Sequence, residues 1–138
     1  MENIKNPFLI ELGSIGFSEI GFITIFEESD KLPFNIKRTY WTYFCPNNLK
    51  RGGHAHKNLK QVIVSVSGEI QIITETLNGK KQNFILDRPD KGLYIESYCW
   101  REITFSQNAV LLCLASDIYR EADYIREYSE FQKLKNLV

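Results

Sequence analysis

The sequence is poor in the residues that build disulfide frameworks and thiolate metal sites. It has only three cysteines, Cys45, Cys99 and Cys113, and their odd number and wide spacing exclude a paired Cys-x-x-Cys arrangement. The first residues also lack the charged region and apolar segment that are typical of a secretory signal. We therefore expect a reduced, cytoplasmic protein.

An excess of charge and long hydrophobic runs are also missing. Seventeen basic residues balance seventeen acidic ones, so the net charge is zero. This balance argues against a nucleic-acid binder that works through bulk electrostatics and against a polybasic membrane anchor. The longest apolar run, residues 109–115, is far too short to cross a bilayer and is typical of a buried strand. We expect no nucleic-acid or membrane partner.

Short apolar runs separated by turn residues make up most of the chain, a pattern typical of a sandwich or barrel. With 43% hydrophobic and 13% aromatic residues, the composition predicts a single all-β domain over residues 1–138. Asn78-Gly79 is the strongest hairpin signal. We expect strands at residues 8–12, 20–26, 36–44, 61–66, 69–76, 82–86, 93–95, 101–105 and 110–115.

The C-terminal residues 119–137 lack strand-like alternation. Apolar side chains recur there at helical spacing, which predicts a short helix or two packed outside the sheets. The residues that set this spacing are Tyr124, Ile125, Tyr128, Phe131 and Leu134.

The chain has two histidines, and they lie two positions apart in the segment Arg51-Gly52-Gly53-His54-Ala55-His56-Lys57. In an extended chain both imidazoles would project from one face, which suggests a metal site or acid/base chemistry. The glycine pair allows a tight turn and Arg51 adds a fixed cation, so a polar or anionic ligand is expected. The alternative is that the histidines are only hydrogen-bonded residues at a strand end.

The spacing of His54, His56, Gln61 and Gly68 resembles the first motif of the cupin superfamily, and residues 92–95 with Trp100-Arg101-Glu102 resemble the second. The resemblance implies a double-stranded β-helix, or jelly-roll, barrel with a central pocket. Gln61 stands where cupins usually have glutamate, and Arg101 where they have a third metal-binding histidine. Because protonated arginine cannot ligate a metal, we expect a metal-free pocket without a cofactor.

Within the cupins, the chain is similar to the nucleotide-sugar 3,4-ketoisomerases that act on dTDP-4-keto-6-deoxyglucose. The similarity lies in residues 36–40, 51–57, 61–62, 92–94, Trp100, 114–117 and 123–126. It implies an isomerase of deoxysugar and glycan biosynthesis, such as that of lipopolysaccharide, that moves the sugar carbonyl from C4 to C3 through an enediolate. The family also implies a homodimer, with N-terminal strands that can cross between subunits.

The chemistry of the implied reaction assigns roles to particular residues. His54 is the expected base at C3, and His56 and Tyr40 are candidates for the remaining proton transfers. Arg38, Tyr40 or Arg101 could stabilise the oxyanion, and Arg51 and Arg38 suit the diphosphate. Gln61 is a candidate substrate-binding residue or only holds a histidine in place, and Trp100 could contact substrate or only fill the barrel.

Two alternatives stay open at the level of sequence. Many relatives in this branch carry histidine where this chain has Arg101, so Arg101 either binds the enediolate or a phosphate, or the pocket serves another stereochemistry or substrate. The chain could also be a non-catalytic module that binds a sugar nucleotide through the same arginines. A metal-dependent cupin oxygenase or epimerase would need ligands that the chain lacks.

Overall fold

The computed structural model describes residues 4–27 and 31–138. Within them the chain forms twelve strands, one 3-10 turn at Glu121–Asp123 and one helix, α1, at Tyr128–Lys135. The strands are β1 Phe8–Glu11, β2 Ile15–Phe17, β3 Gly21–Ile23, β4 Arg38–Thr42, β5 Lys50–His56, β6 Gln61–Ser67, β7 Ile70–Thr76, β8 Lys81–Leu86, β9 Lys91–Ile95, β10 Cys99–Phe105, β11 Val110–Ala115 and β12 Tyr124–Ile125.

Ten of these strands form two five-stranded antiparallel sheets. The first sheet has the order β1-β9-β6-β11-β4 and the second has the order β12-β5-β10-β7-β8. Strands β2 and β3 pair with each other in a separate N-terminal hairpin. Two facing antiparallel sheets confirm the predicted all-β jelly-roll class.

The main core lies between the two sheets, where alternate side chains from both sheets meet. Its largest cluster combines residues of β6, β7, β9, β10 and β11, and it is almost fully buried. One side of each strand faces this interior, and the short apolar runs between turn residues correctly predicted β6 to β11. Asn78-Gly79 does lie in the β7–β8 hairpin, where the Gly79 N–H donates to the Thr76 carbonyl oxygen at 2.9 Å.

Two features of the strand pattern differ from the sequence prediction. The run 36–44 yields only Arg38–Thr42 as a strand, whereas β2 and β5 were not predicted. Gly52 and Gly53 interrupt the apolar alternation of β5, so the sequence pattern there is that of a turn although the backbone is paired.

The prediction for the C-terminal residues was right for α1 and wrong for the residues before it. Tyr124 and Ile125 are not helical but form β12, which pairs with His56 and Ala55 of β5. Backbone pairing to a sheet edge therefore outweighed the helical spacing. Phe131 of α1 is fully buried against the second sheet. No helix in the described part of the chain is long and apolar enough to span a bilayer.

Candidate active site

A cavity of about 410 Å³ opens between the two sheets, and its lining is more polar than the core beneath it. We call it the inter-sheet cavity. Five of the residues singled out from the sequence meet there. Tyr40 and Gln61 come from the first sheet, and Arg51, His54 and Arg101 come from the second.

A bulge in β5 sets the positions of Arg51 and His54. His54 lies directly opposite Arg101 of β10, but the next partners are Gly52 and Glu102, so Gly53 is the extra residue. Gly52 and Gly53 have φ angles of +82° and +64°, in the region that favours glycine. A Cβ on Gly52 would lie 2.9 Å from the Arg101 carbonyl oxygen. Glycine thus lets β5 approach β10 where the site is built.

His54 is held as a neutral imidazole. Burial, and after it the positive charge of Arg101, lowers the pKa of His54 from 6.5 to about 4. The ring is therefore unprotonated at neutral pH and can accept a proton from a molecule in the inter-sheet cavity. A neutral imidazole that lines a polar pocket is the protonation state that a general base needs.

His56 lies beside His54 but does not line the cavity. Its side chain is 1% exposed, and its Nδ1 is 3.0 Å from Oδ2 of Asp123. The two imidazole rings meet edge to face, with centroids 4.9 Å apart. Burial, followed by the charges of Arg101 and His54, lowers the pKa of His56 to about 2, so this ring is also neutral.

Arg101 is a buried guanidinium that is held by neutral partners. Its side chain donates to Oε1 of Gln61, and its Nε and Nη2 donate to the Cys99 carbonyl oxygen at 3.2 and 3.0 Å. Among the described residues no carboxylate forms an ion pair with it. An uncompensated cation at the cavity wall attracts negative charge strongly, because little water screens it.

Gln61 connects Arg101 to Tyr40. While its Oε1 accepts from Arg101, its Nε2 donates to the Tyr40 hydroxyl at 3.0 Å and to Cys113 Sγ at 3.3 Å. Glutamate at this position would offer no donor to the phenol, which gives a physical reason for the amide. Burial raises the pKa of Tyr40 far above its usual value, so the phenol keeps its proton.

The structure does not bring Arg38 and Trp100 into the inter-sheet cavity. The Arg38 guanidinium lies 5.4 Å from the ring centre of Tyr40 and 5.8 Å from that of Tyr119, and its Nε is buried without a hydrogen-bond partner in the described chain. Trp100 points to the other side of β10 from Arg101 and packs against Tyr128 and Phe131 of α1. Its placement is that of a packing residue.

Three residues of the site received no role from the sequence. Tyr124 and Arg126 line the inter-sheet cavity, and Asp123 bonds to His56. The Arg126 guanidinium stacks 4.0 Å from the Tyr124 ring centre. Residues 123–126 belong to the part of the chain that resembles the ketoisomerases, but the helical spacing of apolar residues there predicted a helix rather than a strand that lines the cavity.

The donor set at the cupin metal positions does not fit a divalent ion. His54 and His56 are the nitrogen donors there, while Oε1 of Gln61 accepts from Arg101. The fourth position is Arg101 itself, which is cationic and cannot ligate. Among residues 4–27 and 31–138 no three His, Cys, Asp or Glu side chains are grouped around a possible ion position.

Comparison with known proteins places this site in a family. The model of the family described as "FdtA: WxcM-like, C-terminal" matches residues 5–136. The chain belongs to this family. A TDP-4-oxo-6-deoxy-alpha-D-glucose-3,4-oxoisomerase from Aneurinibacillus thermoaerophilus is 41% identical over 114 residues, which are 82% of this chain and 81% of the relative.

Solved structures of 3,4-ketoisomerases have the same fold. A 3,4-ketoisomerase from Helicobacter canadensis is 36% identical, with a TM-score of 0.88 over 95% of this chain and 98% of its own. The sugar 3,4-ketoisomerase QdtA from Thermoanaerobacterium thermosaccharolyticum, crystallised with TDP, is 34% identical, with a TM-score of 0.89 over 96% of each chain. The resemblance to ketoisomerases of the cupin type is thereby confirmed.

Proposed function

We propose that this FdtA-like chain is a sugar-nucleotide 3,4-ketoisomerase that converts dTDP-4-keto-6-deoxyglucose into its 3-keto isomer. The observation that carries the proposal is the pairing of a neutral His54 with the buried cation Arg101 in one polar cavity. A base and an anion-stabilising group at adjacent positions are what enediolate chemistry needs. The names of the relatives support this substrate.

The first step is proton removal at C3. The C4 carbonyl acidifies the hydrogen on C3, and Nδ1 or Nε2 of His54 accepts it as a proton. The electron pair left on C3 forms the C3–C4 double bond, and the C4 oxygen becomes the oxyanion. Arg101 stabilises this charge, because its guanidinium is in place before the reaction and is not neutralised by a carboxylate.

The second half of the reaction returns a proton to C4. The electron pair of the double bond moves to C4, which takes up a proton that balances the one His54 removed from C3. The proton of the C3 hydroxyl passes to the C4 oxygen, so C3 becomes the carbonyl and C4 carries the hydroxyl. Tyr40 is the proposed proton donor or shuttle, since it lines the cavity and its phenol remains protonated. His56 supports this chemistry from behind the cavity wall, where it contacts His54.

The diphosphate is proposed to bind at the cavity mouth. Arg51 is exposed there on β5, and its planar guanidinium suits bidentate contact with phosphate oxygens. Arg126 lines the same cavity and is a second candidate. Arg38, behind Tyr40, is close enough to add positive potential.

We propose that no metal or cofactor takes part, because the donor set described above does not fit one. Elemental analysis of the purified protein checks this claim. Less than about a tenth of an ion of iron, zinc or manganese per chain is the expected result. One ion per chain, retained after dialysis and needed for turnover, would contradict it.

The rival proposal is a sugar-nucleotide-binding module without activity, and turnover separates the two. The purified protein is incubated with dTDP-4-keto-6-deoxyglucose in deuterated water, and the sugar is followed by proton NMR. The expected product is a 3-keto sugar with deuterium at C4. Binding of the substrate without exchange or conversion would favour the binding module.

A homodimer is proposed from the surface of the N-terminal hairpin. Apolar side chains there are more than half exposed, namely Ile15, Phe17, Ile20, Phe22 and Ile23, and Trp41 on the edge strand β4 is also exposed. The hairpin pairs with no other strand of the described chain. A second copy could cover these side chains, with exchanged N-terminal strands as one arrangement.

The state of the cysteines supports a proposal for where the protein acts in the cell. The three cysteines are free and buried, as suits the reducing cytoplasm. There the enzyme would act in deoxysugar biosynthesis for glycans such as lipopolysaccharide, as a single cupin domain over residues 1–138.

A further inference from the structure

Asp123 ends the 3-10 turn just before β12 and makes three contacts with the segment that carries the histidines. Its Oδ2 lies 3.0 Å from His56 Nδ1, and its Oδ1 accepts the Asn58 N–H at 2.7 Å. Its carbonyl oxygen accepts the Lys57 N–H at 2.9 Å. The carboxylate is therefore fixed in position against the imidazole and is only 11% exposed.

This geometry decides which ring nitrogen of His56 carries the proton. An ionised carboxylate can only accept hydrogen bonds, so a neutral His56 must place its hydrogen on Nδ1. Nε2 is then a lone-pair acceptor. It is buried and has no hydrogen-bond partner in the described chain. Buried polar atoms are nearly always paired, so an acceptor left unpaired beside a reaction cavity points to a functional constraint.

We infer that Asp123 is a positioning residue for the isomerisation: it fixes His56 in the Nδ1–H tautomer and keeps the Nε2 lone pair free next to His54 and Tyr124. The inference rests on the proposed function, because it concerns how His54 receives a proton. The rings of His56 and Tyr124 are 4.4 Å apart, and that of His54 is 4.9 Å from His56. A hydrogen on Nε2 would point positive charge into this cluster, where His54 must become cationic.

Asp123→Asn is the most informative substitution, because the contacts of Asp123 indicate how an asparagine amide would be oriented. Its oxygen would keep the hydrogen bond from Asn58 N–H, and its NH₂ group would face His56. The amide would then donate to Nδ1 and force the hydrogen onto Nε2, which reverses the tautomer without removing the contact. Asp90→Asn is the matched control, since Asp90 is also partly buried, at 15% exposure, and is paired with Arg88 in a remote turn.

The tautomer is read directly by two-bond proton–nitrogen NMR of the ¹⁵N-labelled protein. Because the chain has two histidines, the spectrum of His54→Asn assigns the signals of His56. The expected result is an Nδ1–H tautomer in the wild type and in Asp90→Asn, and an Nε2–H tautomer in Asp123→Asn. Turnover should fall roughly a hundredfold or more in kcat in Asp123→Asn, with KM within about threefold of wild type.

Three outcomes would overturn the inference. They are an Nε2–H or doubly protonated His56 in the wild type, an unchanged tautomer in Asp123→Asn, and a reversed tautomer with kcat within about threefold of wild type. The NMR measurement needs no turnover. A wild type that fails to convert substrate therefore counts against the proposed function, whereas the tautomers still decide whether Asp123 sets the state of His56.

Discussion

His54 and Arg101 lie opposite each other on neighbouring strands, and each alters what the other can do. The cation disfavours a second positive charge, so it adds to burial in keeping His54 neutral. In the proposed mechanism, an enediolate between the two groups would be attracted to both and would reverse part of this effect. The same pair would then provide a free base before the reaction and charge stabilisation during it.

The pH dependence of activity follows from the lowered pKa of His54. The acid limb of kcat/KM reports the base of the free enzyme. We expect kcat/KM to stay level from pH 8 to about 5 and to fall only as the pH approaches the pKa of about 4, rather than at the ordinary value of 6.5. Initial rates in a constant-ionic-strength buffer series measure this. A half-maximal point at pH 6 to 7 would contradict it.

The free energy of unfolding should also fall as the pH falls. The folded-state pKa of His54 lies below its unfolded value of 6.5, so the unfolded chain binds more protons between those two pH values. The contribution to stability is present above pH 6.5 and is lost as the pH falls toward 4. Urea unfolding of the wild type at pH 7.5 and 5 should therefore show a lower free energy of unfolding at pH 5.

At the scale of elements, the bulge of β5 is the feature on which the site depends. Gly52 and Gly53 both have positive φ angles, but only Gly52 approaches another strand. These two glycines offer a matched pair of substitutions. Gly52→Ala combines a strained backbone with a steric contact, whereas Gly53→Ala strains the backbone alone.

We expect Gly52→Ala to be more damaging than Gly53→Ala. Each alanine would cost roughly 1–2 kcal/mol for the left-handed backbone. At Gly52 the new Cβ would also lie 2.9 Å from the Arg101 carbonyl oxygen, whereas at Gly53 it would meet nothing within 4 Å. The displacement of β10 should add roughly 1–3 kcal/mol. Urea midpoints and kcat compare the two, and equal losses would contradict the role of the contact.

The elements also show what sequence patterns can and cannot reveal. Strands β6 to β11 followed from short apolar runs between turn residues, and the jelly-roll class followed from the resemblance to the cupin motifs around His54 and Gln61. Strand β5 was missed because its glycines obscure the alternation, and β12 because two residues are too few for a pattern. Asp123 could not be assigned, since its bond to His56 joins residues 67 positions apart. Trp100 matched a motif, but its packing against Tyr128 and Phe131 of α1 joins residues that are distant in sequence.

At the scale of the whole molecule, a homodimer would explain why the N-terminal hairpin exposes so many apolar side chains. We expect a scattering mass of twice 16.1 kDa at micromolar concentration. Phe22→Asp should give the monomer mass, because a carboxylate in an apolar interface is costly to bury. Leu137→Asp is the control, as Leu137 is an exposed apolar residue beyond α1.

Light scattering with these two variants also shows how the prediction would fail. A monomeric wild type would remove the basis for the dimer. A Phe22→Asp variant that remains as dimeric as Leu137→Asp would place any interface away from the N-terminal hairpin.

The measurement that tests the central claim most directly is loss of the C3 hydrogen of dTDP-4-keto-6-deoxyglucose in deuterated water, with wild type and His54→Asn compared at equal concentration. The asparagine variant retains a polar side chain on β5 but cannot act as a base near neutral pH. We predict that the wild type converts the sugar and that His54→Asn lowers the rate at C3 by roughly a hundredfold or more. Reaction at C3 at the wild-type rate in His54→Asn would contradict His54 as the base.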